Sequence, residues 1–163
     1  MNKTKFLLVI FLLISCFAAA KNKQLQDVFK KYDTNDELTA ISANKTALSI
    51  ATVFADKKDK KIVSKIDGIK ILKLEENSTL SKALINDLTK AISSGKLELL
   101  LETHEKGNQV ITYYFREESN GDSDLLIITK ENNEMSVTWI TGQLTKKDLQ
   151  EYKEQSEKKK KRS

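Results

Sequence analysis

The chain has 163 residues, with 28 Lys and Arg against 23 Asp and Glu, one His, one Cys and no Pro. Hydrophobic content of 39% and charged content of 31% describe an ordinary folded chain, not a low-complexity one. One cysteine excludes a disulfide framework within the chain, and the lack of Pro with only five Gly excludes Pro-rich linkers.

The net charge of +5 does not describe a basic domain. Two of the 28 basic residues, Lys3 and Lys5, lie in the first five positions, and five more form the terminal run KKKKR, 158–162. The stretch 21–157 therefore sets 21 basic residues against 23 acids, a balance of −2. Nucleic-acid binding needs a basic face, usually with interleaved aromatics, so no nucleic-acid partner is expected. The terminal run reads as a solvated, disordered basic tail over 158–163, or as a contact for anionic lipid or polysaccharide.

In chain order, MNKTK opens with two lysines and no acid, and FLLVIFLLI follows as nine unbroken apolar residues. This is the charged and apolar pattern of an export leader over residues 1–20, and it is shorter than the roughly 20 residues of a membrane span. Two cuts are open. Leu13-Ile14-Ser15-Cys16 has the form of a bacterial lipobox, where cleavage before the cysteine accompanies its diacylglyceryl modification. Ala18-Ala19-Ala20 instead supplies the small residues of an ordinary signal-peptidase site before Lys21. Cys16 is thus a lipidation candidate, with a membrane partner if the first cut is used. Either cut leaves a mature domain over about 21–157 without a free thiol, suited to an exported, periplasmic or membrane-anchored location.

Leu25, Val28, Phe29 and Tyr32 fall at helical spacing, and DTNDE ends that helix. LTAIS, 38–42, alternates as a strand. Asn44 is placed to cap a helix in TALSIATVFA, and Ile62, Val63 and Ile66 suggest a further helical turn or two. DGIKILKLEE reads as a strand. Ser78 or Thr79 can cap the helix carrying Leu80, Leu84, Leu88 and Ile92, with Gly95 at its C-terminal end. After Gly95 the period changes from 3.6 to 2. LELLLETHE, QVITYYFREE, DLLIITK and MSVTWITG are four strands joined by the turn-forming KGN, SNGDS and ENNE, which predicts an antiparallel meander. Ile111, Tyr113 and Phe115 make one face of the second strand apolar, and Val110, Thr112 and Tyr114 make the other mixed. Thr145 and Asp148 have the spacing of a capping box that opens a last helix. The sum is a single α+β domain, a mostly antiparallel sheet of five to six strands with helices packed on one face.

Few residues carry chemistry. His104, the sole histidine, has Glu102 on the same strand face and Glu105 beside it, but a metal centre usually needs three or four ligands, so this reads as a solvated histidine. Glu75-Glu76 and Glu117-Glu118 point to opposite faces of a strand and do not converge for acid–base work. SNGDSD is oxygen-rich but lacks EF-hand spacing and reads as a hairpin turn. No phosphate loop and no nucleophile elbow occurs. Three Asn-x-Ser/Thr triplets begin at Asn2, Asn44 and Asn77 and matter only in a eukaryotic host. No catalytic residue, cofactor or metal set is expected. Tyr113, Tyr114 and Trp139 are candidates for a ligand or partner face, with core filling as the alternative and burial in the sheet–helix core expected for Trp139.

The opening helix LQDVFKKYDTNDELTAIS, the strand IDGIKILKLEE, the hairpin ETHEKGNQVITYYFREE and the closing WITGQLTKKDLQ together resemble the DUF4252 family of small exported proteins common in Bacteroidetes. The resemblance runs from about Leu25 to Tyr152, and its most specific part is Thr-Gly-x-Leu-Thr, Thr141 to Thr145. SANKTALSI departs from it, being small where larger side chains are expected. The resemblance implies an exported α+β domain of unassigned function and a bacterial host, and carries over no catalytic residues. The expected function is a non-catalytic binding or adaptor domain in the cell envelope, with an envelope protein or small ligand as partner. An enzyme with an unrecognised carboxylate or Tyr site, which a buried carboxylate pair in a cleft would reveal, or a structural envelope protein, is the alternative.

Overall fold

The computed structural model of the protein describes residues 22–51, 57–105 and 108–160. The expected leader, Cys16 and both candidate cut sites lie outside these residues. Helices α1 (Lys23–Tyr32), α2 (Lys45–Ala51), α3 (Lys57–Val63), α4 (Thr79–Ser94) and α5 (Lys146–Lys160) accompany strands β1 (Thr39–Asn44), β2 (Ile66–Glu75), β3 (Glu98–Glu105), β4 (Gln109–Glu117), β5 (Ser123–Glu131) and β6 (Glu134–Gly142). The strands form one sheet in the order β1-β2-β6-β5-β4-β3, every neighbouring pair antiparallel. The α+β reading holds, and β3 to β6 are the expected meander. The helix α4 carries the chain from β2, inside the sheet, to β3 at its edge.

Local chemistry sets the element ends. Asn22 caps α1 by accepting the Leu25 N–H at 3.2 Å, and Ser78 caps α4 by accepting that of Ser81 at 3.0 Å. The Asn44 side chain accepts the Ala47 N–H at 3.0 Å, as a cap should. Thr145 and Asp148 form a reciprocal capping box: the Thr145 hydroxyl accepts the Asp148 N–H at 3.2 Å and the Asp148 carboxylate accepts the Thr145 N–H at 2.9 Å. Asn132 and Asn133, with φ of 50° and 68°, make the tight turn between β5 and β6. SNGDS is a hairpin turn, with the Glu118 N–H bonded to the Asp122 carbonyl at 2.8 Å and Gly121 at φ 87°.

Two local expectations change. Ile66 begins β2 instead of extending the preceding helix, because α3 stops at Val63. Gly95 ends α4 at φ −80°, so it is not a left-handed cap; a Cβ there would stand 2.5 Å from the Asn22 side chain, and it is close packing that requires glycine. The last helix α5 runs to Lys160, three residues into the basic run.

α1 and α4 lie together on one sheet face. Leu25, Val28, Phe29, Tyr32, Leu84, Leu88 and Ala91 meet Leu72, Leu74, Leu126, Ile128, Met135, Val137 and Trp139 in the main core. Tyr32 donates its hydroxyl to Asp87 at 2.9 Å, and Lys31 reaches the same oxygen at 2.6 Å, which ties the two helices. The opposite face carries a second, smaller cluster of Ile66, Phe115, Leu125 and Leu144, joined by Leu48 of α2, Ile62 of α3 and Leu149 of α5. The long helices therefore share one face as expected, while the short ones and α5 close one end of the other. Within β4 the main core takes the mixed Tyr114 side, and the apolar Tyr113–Phe115 side faces the second cluster.

Candidate functional site

Three polar clusters and one open surface are candidates. The first sits on the face covered by α1. Arg116 lies directly across from Asp124, with Nε and Nη2 at 3.0 and 2.6 Å from Oδ2. Trp139, diagonal to Asp124 on β6, donates its indole N–H to Oδ1 at 2.8 Å. Arg116 also pairs with Glu118 at 2.9 Å. The Asp124 side chain is 4% accessible, and its donors come from both neighbouring strands. This is a brace across β4, β5 and β6, packed beside the Phe29–Trp139 ring contact of 5.4 Å. Alternation marks Arg116 and Asp124 as same-face neighbours only once the register is known, so sequence reasoning passed over both.

The second cluster holds the start of α5. Lys65 Nζ lies 2.7 and 2.6 Å from the two oxygens of Asp148, which also accepts the Thr145 hydroxyl at 2.7 Å. Burial pushes the Asp148 carboxyl up, but Lys65, the Thr145 hydroxyl and the Thr145 N–H outweigh it and hold the group down at about 2. Asp124 and Asp148, the buried carboxylates among the described residues, thus belong to separate clusters, each against its own cation, and do not converge on one another as an acid–base pair would.

This corner explains the Thr141–Thr145 segment residue by residue. A Cβ on Gly142 would fall 2.1 Å from the Lys65 carbonyl oxygen. The Gln143 N–H donates to that same oxygen at 2.8 Å while its side chain is exposed. Leu144 is buried, and its N–H donates to the buried Ser123 hydroxyl, which in turn donates to the Gly142 carbonyl at 3.1 Å. Thr145 is the cap.

His104 is exposed, 3.1 Å from Glu102, which also accepts the Thr112 hydroxyl at 3.3 Å. Among the described residues no group of three or more His, Cys, Asp and Glu side chains is placed to hold a metal ion, and no helix is long and apolar enough to cross a membrane.

The structure separates the three aromatic candidates. Trp139 is 3% accessible, in the main core as expected of it, and so unavailable to a ligand. Tyr114 borders the same core, on the same face, aligned with Trp139 through Leu126. Tyr113 points the other way, because successive strand residues alternate. It is half-buried, and burial first, then the charges of Glu105 and Tyr152, push its phenol upward.

Tyr113 stands in a row that crosses all six strands: Leu101, Tyr113, Ile127, Thr138, Ile71 and Ile41. Beyond it runs Thr103, Ile111, Thr129, Ser136, Lys73 and Thr39. The members of these rows are half-buried or exposed; Tyr113 and Ile127 border the second cluster, with Tyr152 of α5 near enough to Tyr113 for its charge to act on it. The Thr103 hydroxyl oxygen is shielded from solvent, and among the described residues it is the buried side-chain polar atom left without a partner. This half-open, Ile- and Thr-lined surface is the candidate site.

No curated protein and no solved structure matches the chain. One family does, described as a domain of unknown function, over residues 32–152. The match begins at the last residue of α1 and takes in every strand through to α5, so the first turns of the helix that roofs the main core precede it. The chain belongs to the DUF4252 family.

Proposed function

We propose that the protein is an exported cell-envelope protein whose domain binds a partner, without catalysis, through the open half of its second sheet face. The observation that carries the reading is that face itself. Two adjacent rows span the whole sheet, rich in Ile and Thr, with the solvent-shielded Thr103 hydroxyl unpaired among them. The leader in residues 1–20 supports export, and the Leu-Ile-Ser-Cys sequence supports cleavage before Cys16 and its acylation.

The test is a thermal melt of the purified protein in envelope extract, paired with cross-linking in cells. The wild type rises in melting temperature and retains a cross-linked partner, and Ile111→Lys loses both while melting normally in buffer. No shift and no partner for the wild type overturns the reading.

A further inference from the structure

We infer that the acylated protein rests on the bilayer through one defined corner, with Leu99 and Leu100 of β3 entering the lipid headgroup region. The inference rests on the reading that Cys16 carries lipid. Asn22, where the described chain begins, is 1% accessible and held from two sides: it accepts the Leu25 N–H and donates to the Gly95 carbonyl at 3.5 Å. The point at which the chain joins the domain is therefore a rigid place beside the end of α4. From Cys16 to Asn22 the chain extends at most about 20 Å, at 3.3–3.6 Å per residue. That is less than the roughly 30 Å diameter of a small domain, so the corner around Asn22 is kept at the membrane surface.

The same corner exposes leucine. Leu97, buried with Leu25 in the main core, is followed within three residues by Leu99 and Leu100, which are 58% and 37% accessible. Leu100 falls at the irregularity between Leu99 and Leu101 in the pairing of β3, an edge strand. From Gly95, in contact with Asn22, Leu99 is at most about 14 Å along the chain. Lys23 is paired with Asp27 and Lys146 with Glu98, and the exposed Lys96 of this corner gains little on a neutral phosphatidylcholine surface. Apolar contact is the main term, and the attachment is expected to resist salt. Ile50, also an exposed aliphatic at 65%, belongs to α2 next to β1, at the other edge of the sheet. Five strand spacings, about 24 Å, separate the two edges.

Leu99→Cys and Ile50→Cys, each labelled with an environment-sensitive fluorophore on the acylated protein from cell envelopes, test this in phosphatidylcholine vesicles containing brominated lipid. The label at 99 is expected to shift to the blue and to be quenched about fivefold more than the label at 50, as a group 5–10 Å deep in the interface would be. Equal quenching at the two positions, with acylation verified by intact mass, overturns the inference and leaves the anchor standing. A label at 99 that is shielded from aqueous reagents in cells but unquenched by lipid overturns it in favour of a protein strand added at the β3 edge. An intact mass without diacylglycerol on Cys16 overturns the anchor, and this inference with it.

Discussion

Trp139 and Asp124 are joined across β5 and β6 by a 2.8 Å hydrogen bond that couples the aromatic core to a buried carboxylate. The indole packs against Phe29 of α1 while its N–H satisfies a carboxylate also gripped by Arg116. Trp139→Ala is expected to cost about 3–5 kcal/mol, the usual range for deleting a buried aromatic. Trp139→Phe, which keeps most of the packing and leaves Oδ1 short of a donor, is expected to cost about 1–3 kcal/mol. Urea unfolding followed by circular dichroism measures both, and a loss below about 1 kcal/mol for the alanine variant would place Trp139 outside the core.

Arg116 and Asp124 form an ion pair whose carboxylate is buried and whose guanidinium is part-exposed, and removing Arg116 leaves the buried Asp124 charge with the Trp139 N–H but without this cation. Arg116→Met is expected to destabilise by about 3–5 kcal/mol. Arg116→Met with Asp124→Leu is expected to cost clearly less than the two single changes added together. A double-mutant cycle reads the coupling, and simple additivity would show that the two side chains act independently.

Asp148 makes stability depend on acid. Its folded carboxyl sits at about 2, below the ordinary 3.8. A depressed carboxyl stabilises the fold fully above its unfolded value, and that contribution is lost as pH falls from about 4 through about 2. The amount at stake is on the order of 2 kcal/mol. Asp148→Asn is expected to lower stability at neutral pH and to flatten the decline between pH 4 and about 2. Unfolding curves across that window check the sign, and an unchanged acid limb in the variant would reassign the decline to other groups.

Gly142 and Gly68 are both sheet glycines, and they predict opposite outcomes. A Cβ at Gly142 would overlap the Lys65 carbonyl oxygen, which is backbone and is fixed by the Gln143 N–H. At Gly68 the nearest atoms lie at 3.4 and 3.5 Å, ordinary contact. Gly142→Ala is expected to cost more than about 3 kcal/mol, beyond typical overpacking, and Gly68→Ala less than about 1 kcal/mol. Thermal melts of the two variants side by side decide it, and similar losses would remove the steric account of the Thr-Gly-x-Leu-Thr segment.

Where the pattern along the chain was strong, the elements were legible. The four-residue recurrence of Leu80, Leu84 and Leu88 announced α4, and the capping roles of Asn44, Ser78 and Thr145 followed from residue type and position. The change of period after Gly95 and the short turns between strands announced the meander, since short links permit only antiparallel neighbours. Boundaries were weaker: Ile66 carries the same apolar signal in a helix as at the start of a strand, and only its pairing with Gly142 separates the two.

By itself the sequence determined the α+β class, the order of elements and the family. Each is encoded locally, in periodicity, capping chemistry and short motifs. Only the tertiary structure decided which cover each face of β4 meets, the main core on the Tyr114 side and the second cluster on the Tyr113 side, and that Arg116, Asp124 and Trp139 meet. It also decided that Gly95 and Gly142 are small because distant chain passes close to them, and that Leu99 and Leu100 are exposed. Those relations depend on cross-strand register and on which helix covers which face. Both are set by contacts between residues far apart in the chain, and no local pattern records them.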